Sequence, residues 1–224
     1  MEIYFVRHGK TQWNLEQRFQ GGQGDSKLLP ESLADIEKLG RYLQGKHFKA
    51  VYASPLDRAR MTAQGLIGAA GIRLPLHIDE RLREMNLGKL EGMKYAEAEK
   101  LYPQEIYNFW HHPDKYDNTV VEGESYEHAM ARGLDFGREM AEKYPKDSDK
   151  VLVVSHGAVS HGAVLSAIMG ALLGYDLANL RQNGVIYNTS VSVLASQEKG
   201  PAFKLVKWSD VTPLEHKMSE TDGL

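Results

Sequence analysis

The chain opens almost at once with Ile3-Tyr4-Phe5-Val6-Arg7-His8-Gly9-Lys10-Thr11, an apolar run that ends in a charged turn. Such a run predicts a buried strand that delivers polar groups to one edge of a sheet. Arginine and histidine side by side at that edge make an anion site. Arg7 carries a permanently charged planar fork suited to phosphate or carboxylate oxygens, while His8 can act as nucleophile, acid or base near neutral pH. Gly9 lets a ligand approach the backbone closely. Taken alone, the stretch reads equally well as a solvated pair at a strand end, and only residues farther along the chain separate the two readings.

The same grammar recurs downstream. Ala50-Val51-Tyr52-Ala53 predicts a second short strand ended by Ser54-Pro55, and Leu76-His77-Ile78 a third, followed by Asp79-Glu80-Arg81-Leu82-Arg83-Glu84. Val151-Leu152-Val153-Val154 is the most apolar strand, and its lack of alternation fits a central position buried on both faces. It ends in Ser155-His156-Gly157. Between the strands, Leu33, Ile36, Leu39, Gly40 and Leu43 recur at helical spacing. Further helices are expected from Leu56 to Ala70, from Tyr126 to about Tyr144 before Pro145, and from Ala158. Val191–Leu194 and Phe203–Val206 read as a hairpin pair. Strand, loop and helix alternating in this way predict an α/β fold, a three-layer α/β/α sandwich on a mostly parallel sheet with an antiparallel edge strand.

Gly21, Gly22 and Gly24 mark a polar loop over the first strand. From Gly88 to Gly123 the pattern weakens around a helix through Tyr95 to Leu101 and an aromatic cluster at Tyr102, Tyr107, Phe109 and Trp110. We expect one domain over 1–208, with 89–124 an excursion that forms a rim or lid, and a loose polar tail over 209–224. The aromatic cluster reads first as packing, and His111-His112 as loop surface rather than metal ligands. The echo of His156-Gly-Ala-Val in His161-Gly-Ala-Val is too short to mark a repeat.

Composition narrows the function classes. A net charge of −3 over 224 residues offers no basic footprint for nucleic acid, so attraction of an anion must come from local residues. With no cysteine there are neither disulfides nor thiolate metal sites, which fits a reducing, cytoplasmic setting. The start lacks the basic and long apolar regions of a signal peptide. The longest apolar stretch, Ala158 to Leu173, contains Ser160, His161 and Ser166 and falls short of the ~20 residues of a membrane span, so a buried helix is expected.

Arg7-His8-Gly9, Arg58 at a helix start, Glu84 and Ser155-His156-Gly157 all follow strands, and in a parallel sheet the carboxyl ends of strands share the edge where ligands bind. Together with Thr11-Gln12-Trp13-Asn14, Phe19-Gln20-Gly21, Ser54-Pro55-Leu56-Asp57-Arg58-Ala59, Glu91-Gly92 and Gly123-Glu124-Ser125, this series resembles the histidine phosphatase superfamily, also called the phosphoglycerate mutase-like family, from Ile3 to about Trp208. The resemblance implies that His8 is the nucleophile taking the phosphoryl group, and that Arg7, Arg58 and His156 grip its oxygens with Asn14 as a neutral donor. It implies Glu84 as proton donor to the leaving oxygen, with Glu80 and Glu91 as rival acids. Lys10, Gln20 and Gly21 are candidate substrate contacts. No metal or cofactor is implied, since arginines and histidines supply the positive charge.

Two positions depart from the family pattern: many relatives carry Glu at Lys10 and Arg at His161. Lys10 would favour a more anionic substrate if its ammonium points inward. The reaction expected is hydrolysis of a small-molecule phosphate monoester through phosphohistidine. Phosphoglycerate mutation dependent on 2,3-bisphosphoglycerate is the runner-up, because the segment Met85 to Gly92 lacks the Tyr-Gly pair of the mutases. A non-catalytic phospho-ligand binding protein is the third reading. A homodimer is a possible assembly, and neither a nucleic-acid nor a membrane partner is expected.

Overall fold

The computed structural model describes residues 1–157, 163–197 and 203–223. Six strands form one mixed sheet in the order β3-β2-β4-β1-β5-β6. β1 (Glu2–Arg7) lies parallel to β4 (Lys150–Ser155), in a register that puts Arg7 beside Ser155. β2 (Ala50–Ala53) runs parallel to β4 on one side and to β3 (Leu76–Ile78) on the other. β5 (Val191–Ser196) pairs antiparallel with β1, and its hairpin partner β6 (Phe203–Asp210) takes the edge. The reversed strand is therefore β5, one place in, and β6 returns in the sense of the parallel set.

Both faces of the central strands are covered, which is why β1 and β4 do not alternate. On one face, α2 (Pro30–Leu43) and α3 (Asp57–Ala70) pack on Tyr4, Val6, Val51, Ala53, Leu152 and Val154. On the other, α7 (Tyr126–Lys143) and α8 (Ala163–Leu172) pack on Ile3, Phe5, Tyr52, Val151 and Val153. One expected core position moves. Leu33 is 55% exposed, because it lies at the margin of the buried stripe of Ser32, Ile36, Leu39, Gly40 and Leu43, and Ser32 takes the inward place, where its hydroxyl donates to Lys10 O at 2.7 Å. α8 is apolar apart from Ser166, and all of its residues but Ala171 are buried. The expected helix start at Ala158, and His161, lie outside the described residues. Among the described residues no helix is long and apolar enough to cross a membrane.

The first loop holds α1 (Gln12–Leu15), and the excursion holds α4 (Tyr95–Leu101), α5 (Pro103–His111) and α6 (Asn118–Val121). Most of its rings pack inward, with Trp110 stacked on Phe19, Tyr95 edge-on to Trp110 and Phe109 against Tyr116 and Tyr126, whereas Tyr107 is exposed beside His111 and His112. The tail is not loose. After β6 a short turn, Thr212–Leu214, buries Leu214 against the α2 face, and Lys38 Nζ donates to Leu214 O at 2.7 Å. His216 then meets Asp35 at 2.9 Å, and the chain returns to Arg7. A polar composition signals a loose end only when its charges lack fixed partners, and Asp210, His216 and Asp222 have them.

Candidate active site

Parallel register brings the two histidine motifs together. His8 N donates to Ser155 O at 3.0 Å, and the rings of His8 and His156 stand 5.2 Å apart. The shorter β2 ends level with them, since Ser54 N donates to Val154 O. Gly9 N donates to Thr62 Oγ1 at 3.0 Å, which ties the loop after β1 to α3 and thus to Arg58.

His8 is buried, and its Nδ1 lies 2.8 Å from Gly9 O. A carbonyl cannot donate, so Nδ1 carries the proton and Nε2 keeps its lone pair. Burial, with Arg58 and Arg7 beside it, holds the imidazole well below its ordinary pKa range. His8 is therefore neutral at pH 7. His156 is held down likewise, by burial, Arg58 and His8. Its Nε2 bonds to Ser54 Oγ, and Leu56 N donates to that same hydroxyl at 3.4 Å.

Both arginines are fully buried. Arg7 Nη1 donates to Ile186 O at 2.7 Å and to Asp222 O at 3.3 Å, and burial lowers its pKa to about 10. Arg58 Nη1 donates to Gly24 O and to Asp25 Oδ1, at 2.8 and 3.0 Å, while Nη2 donates to the carbonyls of Gln20 and Gly21. Gln20 and Gly21 thus meet Arg58 through their backbone. The loop can also lie against the segment after Glu84 because position 21 has no side chain: a Cβ there would stand 2.7 Å from Met85 O. Asn14 Oδ1 accepts from Thr11 N at 3.0 Å in a capping box, which fixes the direction of its amide.

Glu84 is buried, follows the turn Glu80–Leu82, and is held to β4 through Ser155 Oγ donating to Leu82 O at 2.7 Å. Its Oε1 accepts from Met85 N and Val164 N, while Oε2 has no partner among the described residues. Burial pushes its pKa up to about 7. Neither rival acid shares this setting. Glu80 is exposed and paired with Arg83, and Glu91 accepts the N–H groups of Gly21, Gln23 and Leu87. Glu84 Oε2, Arg58 Nε and His156 Nδ1 are buried polar atoms with no partner among the described residues. Such atoms are costly, and a bound ligand would satisfy them. A cavity of about 560 Å³ opens beside Glu84, bounded by Gln23, Arg83, Asn86, Glu124, His128 and Arg132.

Lys10 does not join this cavity. Its Nζ lies 3.0 Å from Asp222 Oδ1 and donates to Ser219 Oγ at 3.2 Å, facing the chain end. Sequence reasoning missed Ser54 as the partner of His156, Asp25 as the partner of Arg58, and Asn188, whose Nδ2 donates to His8 O at 3.0 Å. Ser54-Pro55 was a visible signal; Asp25 and Asn188 gave none beyond loop polarity. Among the described residues no group of three His, Asp or Glu side chains is arranged to hold a metal ion.

Proteins named as phosphoglycerate mutases and as phosphatases are similar to this chain. A probable phosphoglycerate mutase GpmB of Erwinia tasmaniensis is 30% identical over 210 residues, covering 88% of this chain and 86% of its own length. A 2,3-bisphosphoglycerate-dependent phosphoglycerate mutase of Cytophaga hutchinsonii is 32% identical, covering 69% of this chain and 71% of its own. Among solved structures, YhfR of Bacillus stearothermophilus superposes with a TM-score of 0.83 at 31% identity, over 95% of this chain and 98% of that one. A mycobacterial glucosyl-3-phosphoglycerate phosphatase complexed with VO3 gives 0.80 at 26%, over 93% and 98%. The family model matches residues 3–210, and with the paired histidines, the two buried arginines and Glu84 on one sheet edge, the chain belongs to the histidine phosphatase superfamily, branch 1.

Proposed function

We propose that this chain hydrolyses phosphate monoesters through a phosphohistidine on His8, with Glu84 as proton donor and no metal ion. The observation that carries the reading is the opposed protonation of two buried groups that both approach Arg58: an imidazole kept neutral and a carboxyl whose pKa is about 7. His8 Nε2 attacks phosphorus, the bond to the leaving oxygen breaks, and the proton of Glu84 goes to that oxygen. Glu84, now a carboxylate, takes a proton from water, which attacks the phosphohistidine and releases inorganic phosphate. Arg7 and Arg58 hold the phosphoryl oxygens as charge spreads over them, with Asn14 as a neutral donor. His156 adds one donor. With Leu56 N donating to Ser54 Oγ, the serine proton is directed to His156 Nε2, so His156 Nδ1 carries the N–H offered to phosphate.

The cavity beside Glu84 supports hydrolysis and a polar, uncharged leaving group such as a sugar or polyol. Its cations are already matched, Arg83 with Glu80 at 2.9 Å and Arg132 with Glu124 at 2.8 Å, so a glycerate carboxylate meets no uncompensated partner among the described residues. The names of several relatives favour the second reading, a mutase. The test is phosphate release with EDTA throughout, across sugar phosphates, nucleotides, 3-phosphoglycerate and p-nitrophenyl phosphate, beside a mutase assay. Hydrolysis that is abolished in a folded His8→Ala variant is the expected result. Isomerisation of 3-phosphoglycerate without net release would overturn it in favour of the mutase.

A further inference from the structure

The chain end makes two contacts with the phosphate-gripping machinery through one residue. The carboxylate of Asp222 lies 3.0 Å from Lys10 Nζ, two positions after the nucleophile, and the two side chains are only 13% and 12% exposed. The carbonyl of the same residue accepts from Arg7 Nη1 at 3.3 Å and from Asn188 N at 2.8 Å, and Asn188 in turn donates to His8 O. Ser219, which accepts from Lys10, also donates to the Asp222 carboxylate. Farther out, the pair of His216 with Asp35 and the burial of Leu214 bring this segment back across α2.

We propose that Lys10 and Asp222 form a latch that seats the chain end against Arg7 and so sets the grip on phosphate, making both of them positioning residues. The inference rests on the reading of Arg7 as a phosphate ligand. A guanidinium is a rigid fork, so a carbonyl that fixes one of its nitrogens fixes the direction of the others. Ile186 O takes one proton of Arg7 Nη1 at 2.7 Å and Asp222 O is the second acceptor on that nitrogen; Asp222 is seated in turn by Ser219, which donates to its carboxylate, and by its ionic partner Lys10. The position that departs from the family pattern thus acts through the tail rather than on substrate.

The experiment measures the affinity for inorganic phosphate by calorimetry, with KM and kcat on p-nitrophenyl phosphate, in Lys10→Met, Asp222→Asn, the double variant and Lys10→Arg. Each single neutralisation should weaken phosphate binding and raise KM about tenfold, with kcat within about twofold. The double variant should lose no more than either single one, and Lys10→Arg should recover most of the affinity. Weakening in Lys10→Met but not in Asp222→Asn would show that Lys10 touches phosphate itself, and would overturn the latch. Additive losses, or a fall in Tm with unchanged affinity, would also overturn it. The hydrolase reading fails separately: a wild-type chain that binds phosphate with this mutational pattern yet releases none from any ester keeps the latch and loses the hydrolase.

Discussion

A carboxyl taken out of water must keep its proton or find partners, and Glu84 does one with each oxygen. Oε1 accepts two backbone N–H groups while buried Oε2 has no partner among the described residues, and burial outweighs those bonds to leave the pKa near 7. For an alkyl or sugar phosphate, kcat/KM should therefore fall as pH rises through about 7. Glu84→Gln should remove that limb and lower kcat/KM for such esters by roughly 10²- to 10⁴-fold, yet lower kcat/KM for p-nitrophenyl phosphate far less, while kcat falls for both because hydrolysis of the phosphohistidine loses its base. Equal losses of kcat/KM on both would assign the proton to another acid. The same residue makes a stability prediction. Between its ordinary pKa of 4.5 and about 7 the native carboxyl holds a proton that the unfolded chain has lost, so stability falls as pH rises through this window. The loss is of order 3 kcal/mol, and denaturant unfolding at pH 8 should show Glu84→Gln more stable than the parent, with the gain vanishing near pH 4.5. A variant equally destabilised at both pH values would contradict the assignment.

At the scale of elements, Glu84 is only as well placed as the segment from Met85 to Gly92. That segment is clamped by the turn before α7: Glu124 N donates to Asn86 O at 2.7 Å, and Glu124 Oε2 accepts from Asn86 N. Gly88 sits at φ +55°, where a Cβ would collide with Val121 O. Gly88→Ala combines backbone strain with a clash against a carbonyl that cannot rotate away, so it should cost at least about 3 kcal/mol and reduce turnover of sugar phosphates in step. A wild-type Tm in this variant would show that the clamp yields freely. Elements of this kind divide by how far apart their parts lie in sequence. The strands ending at Arg7, Ala53 and Ser155 were legible because a short apolar run followed by polar residues is a local signal, as was the hairpin of β5 and β6. Asp25 with Arg58, Asn188 with His8, and Asp222 with Lys10 were not, because each joins loops that only the finished sheet brings together. Leu33 misled because a residue at the margin of a helical stripe fits the spacing and still faces water, while polar Ser32 takes the inward place.

At the scale of the whole molecule, the site is where separately folded parts meet. His8 and Arg7 end β1, Arg58 starts α3, His156 follows β4, Glu84 follows the turn after β3, and Asp222 closes the chain end over Arg7. Two apolar layers hold these parts from opposite faces of the sheet. The edge itself gathers two buried guanidiniums and two depressed imidazoles, with unpartnered polar atoms among them. Such an edge is an expense that burial of the rest sustains, and an oxyanion relieves it. Because the groups proposed to hold an oxyanion lie on separate segments, the unfolded chain should bind one negligibly and its binding energy should add to global stability. At a hundredfold excess over Kd, orthovanadate should stabilise the fold by about 2.7 kcal/mol. For a chain of this size that is a rise in Tm of roughly 5–10 °C, read by calorimetry or dye binding. His8→Ala should keep a smaller shift, having lost the nitrogen that faces the metal-oxide centre but not the arginines around it. Arg58→Met should lose nearly all of it, and a shift as large as that of the parent in this variant would place the oxyanion somewhere other than this edge.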